Sequence, residues 1–169
     1  MSAVVYPGSF DPVTKGHIDV IVRLSAIFDR VVVLVADSPR KNYLFSHDER
    51  VALIQQAIKQ VKKRSGKIEV VSSKMLTVNF AIQKKIDVIA RSVRTVSDWE
   101  YEYAMADANK KLAPKIETLF IMADPTFGFI SSSLVREVAA FEGDTTPFVP
   151  GNVSRALKNK NSVKTRGKK

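Results

Sequence analysis

Four clusters of polar and basic residues could bind phosphate groups, and the first is the segment YPGSFDPVTKGH, residues 6–17. It begins like the end of a strand and finishes like the start of a helix, and its glycines allow close approach of backbone to a ligand. Thr14 and His17 lie where free N–H groups and the helix dipole favour an anion. Taken alone, the segment is as consistent with a histidine that only caps the helix as with an anion-binding site.

Two further clusters contain basic residues that follow apolar runs. Lys41 follows the run RVVVLVAD, where it could reach a phosphate, although two neighbouring basic residues are more often a solvated surface pair. Arg91 and Arg94 follow a later run, with Glu102 downstream. A guanidinium next to a buried strand needs a partner, so this cluster fits a polyphosphate or ribose site and an internal ion-pair network about equally.

The fourth cluster, SSS at residues 131–133, stands at the predicted start of a helix. One serine is explained as a cap, but three are not, and hydroxyls with free N–H groups suit a second anionic group. Other chemistries lack their motifs. The chain has no P-loop, no G-x-G-x-x-G, no G-x-S-x-G elbow and no cysteine, and it has only two histidines, so a His/Cys zinc site is not expected.

Segments with strand patterns and segments with helix patterns alternate along the chain, and the strands and helices that they form must position these clusters. This alternation predicts an α/β fold, a doubly wound, parallel, five-stranded sheet with helices on both faces. Ligands then bind at the carboxyl ends of the strands, after Tyr6, Ala36, Ala90 and Ala123. The predicted strands span 3–8, 30–37, 67–73, 87–93 and 116–123, and the predicted helices span 17–29, 46–61, 76–85, 99–113, 131–142 and 152–160.

The length of 169 residues predicts one domain over residues 1–160 and a basic, flexible tail over 161–169. The formal net charge is +10, but residues 155–169 hold seven Lys or Arg and no acid, so the excess lies at the end of the chain. Nucleic-acid binding is therefore not expected as the main function. No apolar run reaches the length of a membrane span, and the absence of cysteine suits a cytoplasmic location.

Four segments together resemble the bacterial phosphopantetheine adenylyltransferases: YPGSFDPVTKGHID, ARSVRTVSDWEYE, FISSSLVREVA and GDTTPFVPGNV. The T-x-G-H and ISSS motifs are hallmarks of the wider nucleotidylyltransferase superfamily. The resemblance implies a Rossmann-like domain that transfers the adenylyl group of ATP to 4′-phosphopantetheine, giving dephospho-coenzyme A and pyrophosphate. It also implies Mg²⁺ supplied with ATP, no protein-bound metal site, a homohexamer, and coenzyme A or its precursor as ligands.

The resemblance assigns roles to individual residues. The catalytic residues are His17, Thr14 and Ser9. The ATP-binding residues are Ser9, Phe10, His17, Ser92, Val93, Arg94, Glu102, Phe127, Gly128, Phe129, Ile130, Ser131, Ser132 and Ser133. The residues that bind phosphopantetheine are Ser9, Lys41, Thr77 and Arg91.

Three positions depart from the family pattern. Ser9 stands where threonine is common, Ser92 where glycine is usual, and Lys110 where arginine is usual. Two other functions stay open at this point. One is adenylyl or cytidylyl transfer to another phosphate, such as nicotinamide mononucleotide or glycerol phosphate. The other is a non-enzymatic nucleic-acid binder that uses the basic tail.

Overall fold

The predicted alternation of strands and helices is present in the computed structural model, which describes residues 1–38, 42–61 and 65–166, with side chains through residue 162. A short 3₁₀ turn, Pro125–Phe127, precedes α5. The elements in chain order are β1 (Ala3–Gly8), α1 (Lys15–Ile27), β2 (Arg30–Ala36), α2 (His47–Lys59), β3 (Lys67–Ser73), α3 (Thr77–Gln83), β4 (Val88–Val93), α4 (Val96–Leu112), β5 (Glu117–Met122), α5 (Ser132–Ala140) and α6 (Gly151–Arg166).

The strands form one parallel sheet in the order β3-β2-β1-β4-β5, which confirms the predicted doubly wound topology. β1 pairs with β2 on one side and with β4 on the other. The strand order therefore reverses between β1 and β4. In open α/β sheets the crevice outside the carboxyl ends at such a point is where ligands bind.

Apolar residues on both faces of the sheet hold the helices in place. Alternate side chains of a strand point to opposite faces, so Val4 and Tyr6 join one core while Val5 joins the other. The first core packs beneath α1, α2, α5 and α6, and the second packs beneath α3. Val31–Val35 of β2 are all buried, which explains the continuous apolar run of that strand.

Side-chain caps define where the helices begin. Thr14, Ser46, Thr95 and Ser131 are N-caps whose hydroxyls accept backbone N–H groups of the first turn. Ser46 and Glu49 form a capping box at the start of α2. Three of these caps, Thr14, Thr95 and Ser131, follow β1, β4 and β5 in the chain. The capped helix N-termini therefore lie near the carboxyl ends of the strands.

The last helix is longer than the sequence pattern indicated. α6 runs from Gly151 to Arg166, whereas 152–160 was predicted, and no Gly or Pro after Gly151 interrupts it. Lys160 forms an ion pair with Glu49 of α2, at 2.8 Å. Flexibility of residues 161–169 stays a prediction. Within the described part of the chain, no helix has the length and apolarity needed to span a membrane.

Candidate active site

A cavity of about 400 Å³ opens where β1, β2, β4 and β5 end, at the reversal point of the sheet. The sequence-based reasoning placed functional residues at these same strand ends, and most of them meet here. The predicted residues that line the cavity are Ser9, Phe10, Thr14, His17, Thr77, Arg91, Ser92, Arg94, Glu102, Phe127, Ile130, Ser131, Ser132 and Ser133.

Three of the predicted residues that the structure describes are not among those lining the cavity. The side chain of Val93 is buried, and Phe129 is exposed, with its ring packed edge-on against Phe148. Gly128 ends the 3₁₀ turn behind the cavity wall. Lys41 lies outside the described residues, so its assigned role stays a prediction.

The first wall of the cavity is the turn between β1 and α1. Gly8 allows this turn because a Cβ there would lie 2.8 Å from Cζ of Phe10. The Phe10 ring is buried and packs edge-on against Tyr6 and His17. Phe10 can therefore reach a ligand only through its backbone.

His17 presents one ring nitrogen to the cavity as a hydrogen-bond donor. Its Nδ1 accepts the backbone N–H of Thr14 at 3.0 Å, and the Thr14 hydroxyl lies 2.9 Å from the same atom. An imidazole nitrogen that accepts an N–H carries no proton, so the proton of the neutral ring is on Nε2. Among the described residues Nε2 has no hydrogen-bond partner.

The charge state of His17 follows from its surroundings. Burial, and to a smaller extent the positive charge of Arg94, lower the pKa of His17 from 6.5 to about 4. Both effects disfavour the imidazolium. At neutral pH the ring is therefore an uncharged Nε2–H donor, suited to a developing negative charge rather than to proton exchange with bulk water.

Arg91 is fixed at the end of β4 by a carboxylate from α4. Its Nε and Nη2 donate to the two carboxylate oxygens of Glu102 at 2.5 and 2.7 Å, and Nη1 donates to the carbonyl of Pro7 at 3.2 Å. Burial alone would lower the pKa of Arg91, but the bonds to Glu102 raise it above its ordinary value. The pair is therefore an internal ion pair that also lines the cavity, and its binding of a polyphosphate or ribose stays a prediction.

Arg94, directly after the end of β4, is oriented in a similar way. Its Nε and Nη2 donate to both carboxylate oxygens of Asp98, at 2.9 and 3.1 Å, and Nη1 donates to the carbonyl of Ile130 at 2.9 Å. Each of the two arginines thus keeps two of its five N–H groups for a ligand. Preorganised guanidinium groups of this kind match the geometry of phosphate oxygens.

The three serines have three different local roles. Ser131 Oγ accepts the N–H of Leu134 and caps α5, and Ser133 Oγ accepts from Arg136. Ser132 Oγ donates to the carbonyl of Pro12 at 2.8 Å, tying α5 to the first wall. Since Ser131 and Ser133 accept, each keeps its hydroxyl hydrogen for an anionic ligand.

Ser92, which replaces the glycine usual in the family pattern, points at the first strand. Its hydroxyl lies 3.2 Å from the hydroxyl of Tyr6, at hydrogen-bond distance. Burial raises the pKa of Tyr6, so the phenol is protonated at neutral pH. The Ser92 side chain thereby links β4 to β1 through this hydroxyl pair.

Several residues of the site were not found by sequence reasoning. Asp98 and Tyr101 line the cavity from the first turns of α4, and Asp37 and Tyr43 line it after β2. Behind the wall, the buried Asp11 carboxylate accepts backbone N–H groups of Leu44 and Phe45, at 2.8 and 2.9 Å. Only Asp98 had a local signal, because it directly precedes the predicted helix 99–113, where aspartate is a common N-cap.

The carboxylates around the cavity are already engaged. Glu102 and Asp98 each bind an arginine through both oxygens. Across the described residues, no group of three or more His, Cys, Asp or Glu is arranged to hold a metal ion. A hard cation at this site would need oxygen ligands from a bound substrate.

Comparisons with known proteins place this geometry in context. Residues 5–138 match the family model of cytidylyltransferase-like proteins. A phosphopantetheine adenylyltransferase from Hahella chejuensis (strain KCTC 2396) is 48% identical over 157 residues, which cover 93% of this chain and 95% of the relative. Another, from Alkaliphilus metalliredigens (strain QYMF), is 48% identical over 160 residues, which cover 95% of this chain and 99% of the relative.

Solved structures share the fold at much lower identity. Plasmodium falciparum nicotinic acid mononucleotide adenylyltransferase complexed with NaAD superposes with a TM-score of 0.72 at 19% identity, covering 94% of this chain and 95% of that chain. The same enzyme complexed with APC gives a TM-score of 0.71 at 18% identity, covering 95% of this chain and 96% of that chain. At these identities the likeness shows the fold alone.

Proposed function

The chain belongs to the cytidylyltransferase-like family and, within it, to the phosphopantetheine adenylyltransferases, and from this premise we propose how its site works. The site transfers the adenylyl group of ATP to 4′-phosphopantetheine, and the products are dephospho-coenzyme A and pyrophosphate. One observation carries the proposal. The neutral His17 donates from Nε2 into a cavity that two anchored arginines and three serines also line.

The chemistry requires positioning more than covalent participation. The phosphate of 4′-phosphopantetheine is already an anion at neutral pH and can attack the α-phosphorus of ATP directly. The obstacles are repulsion between anions, alignment, and negative charge that builds on the phosphoryl oxygens. We propose a direct in-line displacement, in which the bond to pyrophosphate breaks as the new P–O bond forms.

His17 and Arg94 stabilise the charge that develops on ATP. His17 Nε2–H donates to the reacting phosphoryl group, and Thr14 holds the ring in the required tautomer. Ser9 lines the cavity beside them and supplies a hydroxyl. Arg94, Ser131 and Ser133 offer donors to the remaining phosphates, and Ser92 and Ile130 complete this half of the cavity.

The acceptor occupies the other half. Arg91 presents its two remaining N–H groups to the 4′-phosphate, and Glu102 holds the guanidinium in place rather than binding ATP itself. A smaller cavity of about 130 Å³ adjoins at Thr77 and Arg91, and it is lined in part by Leu76, Met105 and Leu112. This largely apolar groove suits the pantetheine arm.

We propose that Mg²⁺ enters with ATP and is held mainly by phosphate oxygens and water. Mg²⁺ keeps several waters and needs few protein ligands, which agrees with carboxylates already bound to arginine. When bound, the ion neutralises part of the triphosphate charge. We also place the reaction in the cytoplasm, since its highly charged substrates do not cross a bilayer unaided.

We propose further that the protein assembles as a homohexamer. Glu102 is the one buried residue among the described positions of α4. The helix exposes Trp99, Tyr101 and Tyr103, and the neighbouring edge strand β5 exposes Met122. An apolar surface of this kind is typical of contacts between copies of a chain.

The direct test is pyrophosphate release from ATP with 4′-phosphopantetheine, run beside nicotinamide mononucleotide and glycerol 3-phosphate. We expect release with 4′-phosphopantetheine alone, together with an equal amount of dephospho-coenzyme A. Faster release with nicotinamide mononucleotide would assign the chain to the alternative adenylyl transfer, and cytidylyl transfer from CTP to glycerol 3-phosphate would assign it to the other alternative.

A further inference from the structure

We infer that Arg50 is a positioning residue for this reaction: it fixes the peptide between Ser9 and Phe10 so that the Phe10 N–H is directed at a ligand phosphate. The inference rests on the proposed function. Arg50 belongs to α2, does not line the cavity, and is not part of any motif that the sequence suggested.

The guanidinium of Arg50 joins three elements at one point. Its side chain is 1% exposed. Nη1 donates to the carbonyl of Ser9 at 2.9 Å, Nη2 donates to Asp37 Oδ1 at 2.7 Å, and Nε donates to the carbonyl of Ser46 at 3.3 Å. These bonds link the ends of β1 and β2 to the start of α2.

Two neighbours prevent the guanidinium from changing its orientation. The ring of Tyr43 lies 4.4 Å from the guanidinium carbon, a cation–π contact. Arg50 bonds Oδ1 of Asp37, and His47 Nε2 lies 3.0 Å from the other oxygen, Oδ2. This His47 contact is not aligned as a hydrogen bond. A buried cation needs such compensation, and here it also fixes the plane of the donors.

The peptide that Arg50 holds is an unusual one. Phe10 has a φ of 48°, in the left-handed region that a bulky side chain rarely adopts. Conformations of this kind persist where the surroundings determine them, and they cluster at ligand sites. The buried Phe10 ring fixes one side of the turn, and the bond from Arg50 to the Ser9 carbonyl fixes the other.

The direction of the Phe10 N–H follows from the geometry of a trans peptide. Its C=O and N–H point in opposite directions, so the carbonyl that faces Arg50 leaves the N–H facing away from Arg50. Ser9 and Phe10 line the cavity, whereas Arg50 is behind them. The Phe10 N–H has no hydrogen-bond partner within the described ranges. It is therefore available to an anion.

Arg50→Lys tests this role because lysine keeps the charge but lacks the planar fork. We expect an increase of several-fold in the ATP dissociation constant, measured by calorimetry. We also expect kcat for pyrophosphate release, counted per ATP-binding site, to fall by about tenfold or more, as for loss of an oriented oxyanion donor. The KM for 4′-phosphopantetheine should change much less than kcat.

The matched control is Arg30→Lys. Arg30 also forms an ion pair, with Glu69 at 2.9 Å, but it lies at the first residue of β2, at the opposite end of the sheet. We expect both ATP affinity and kcat to stay within about twofold of the wild type, because a partly exposed ion pair at the far end of the sheet contributes little energy. Arg50→Lys values that match those of Arg30→Lys would overturn the inference.

If Arg50→Lys does not fold, Asp37→Ala tests the same link by removing the acceptor of Nη2. A fall in kcat per ATP-binding site of several-fold supports the inference, and an unchanged kcat overturns it. A wild-type protein that binds ATP but does not react with 4′-phosphopantetheine would contradict the proposed function only. The role of Arg50 would then be decided by the ATP dissociation constants of the variants.

Discussion

The imidazole of His17 is kept as a neutral donor by two local features. The Thr14 cap occupies Nδ1, and burial with the nearby Arg94 charge disfavours a second proton. The first turn of α1 thus does more than start a helix, since its cap also selects the tautomer. A role as a helix cap alone does not explain why His17 also lines a cavity that contains two arginines and several serines.

The lowered pKa of His17 has a consequence for stability. Between about pH 6.5 and pH 4 the unfolded chain binds a proton at His17 that the folded chain does not. The free energy of unfolding should therefore fall as the pH drops through this window, by up to about 1.4 kcal/mol per pH unit. Urea denaturation at several pH values should show this slope in the wild type and a smaller one in His17→Asn. Equal slopes in both proteins would contradict the assignment.

At the scale of the elements, a largely buried ion pair holds α4 to the sheet. Glu102 is its buried residue among the described positions, and Arg91 of β4 is the partner. In the proposed function, the same pair orients the guanidinium for the acceptor phosphate. The proposal therefore couples stability and substrate binding at this contact.

We expect Glu102→Gln to lower the free energy of unfolding by about 1–3 kcal/mol, because a charge-assisted bond to a buried arginine is weakened. The KM for 4′-phosphopantetheine should rise at the same time. The matched control is Asp107→Asn on the same helix, whose ion pair with Lys111 is exposed, with an expected loss below about 0.5 kcal/mol. A loss for Glu102→Gln no larger than this control would count against the coupling.

Much of the fold was predictable because each element carries its own periodicity. The strand KIEVVSS was predicted at its observed bounds, and the run RVVVLVAD, predicted as a strand over 30–37, forms β2 over Arg30–Ala36. Helix starts were predictable where a cap accompanies them, as at Ser46. The end of α6 was not, since no residue in that stretch stops a helix.

The candidate site was only partly predictable, for a physical reason. Residues at strand ends with phosphate-friendly side chains could be found because parallel strands bring their carboxyl ends together. Arg50 could not be found, since a charged residue within an amphipathic helix is normally solvated and its partners Ser9 and Asp37 are distant in sequence. The sequence offered Glu102 both as an ATP ligand and as a member of an ion-pair network with Arg91 and Arg94. The structure shows the bond to Arg91, and contact with ATP stays a prediction.

At the scale of the whole molecule, the exposed aromatic residues of α4 predict self-association. We expect the wild type to migrate as a hexamer in size-exclusion chromatography with light scattering. Tyr103→Asp should shift it to smaller species, because a charge on an apolar contact is unfavourable. Phe141→Asp, also at an exposed aromatic but at the end of α5, is the control and should stay hexameric. A wild type that is monomeric would refute the proposed assembly.

The basic C-terminal segment separates the enzyme from the nucleic-acid alternative. We expect a chain that ends at Ser162 to keep its transfer activity, because the Lys160–Glu49 ion pair that holds α6 to α2 is retained. Any binding to nucleic acid through this segment should be weak and steeply salt-dependent. Loss of activity on truncation, with tight DNA binding in the full chain, would favour the alternative.

The most direct test of the proposed site compares wild-type and His17→Ala protein in one assay, with ATP and 4′-phosphopantetheine as substrates. The wild type should release one pyrophosphate for each dephospho-coenzyme A formed. His17→Ala should remain folded and lose roughly 10²–10³-fold in kcat, the usual effect of removing one oriented donor to a developing negative charge. Near-normal turnover in His17→Ala would contradict the claim that this cavity, with this histidine, performs the transfer.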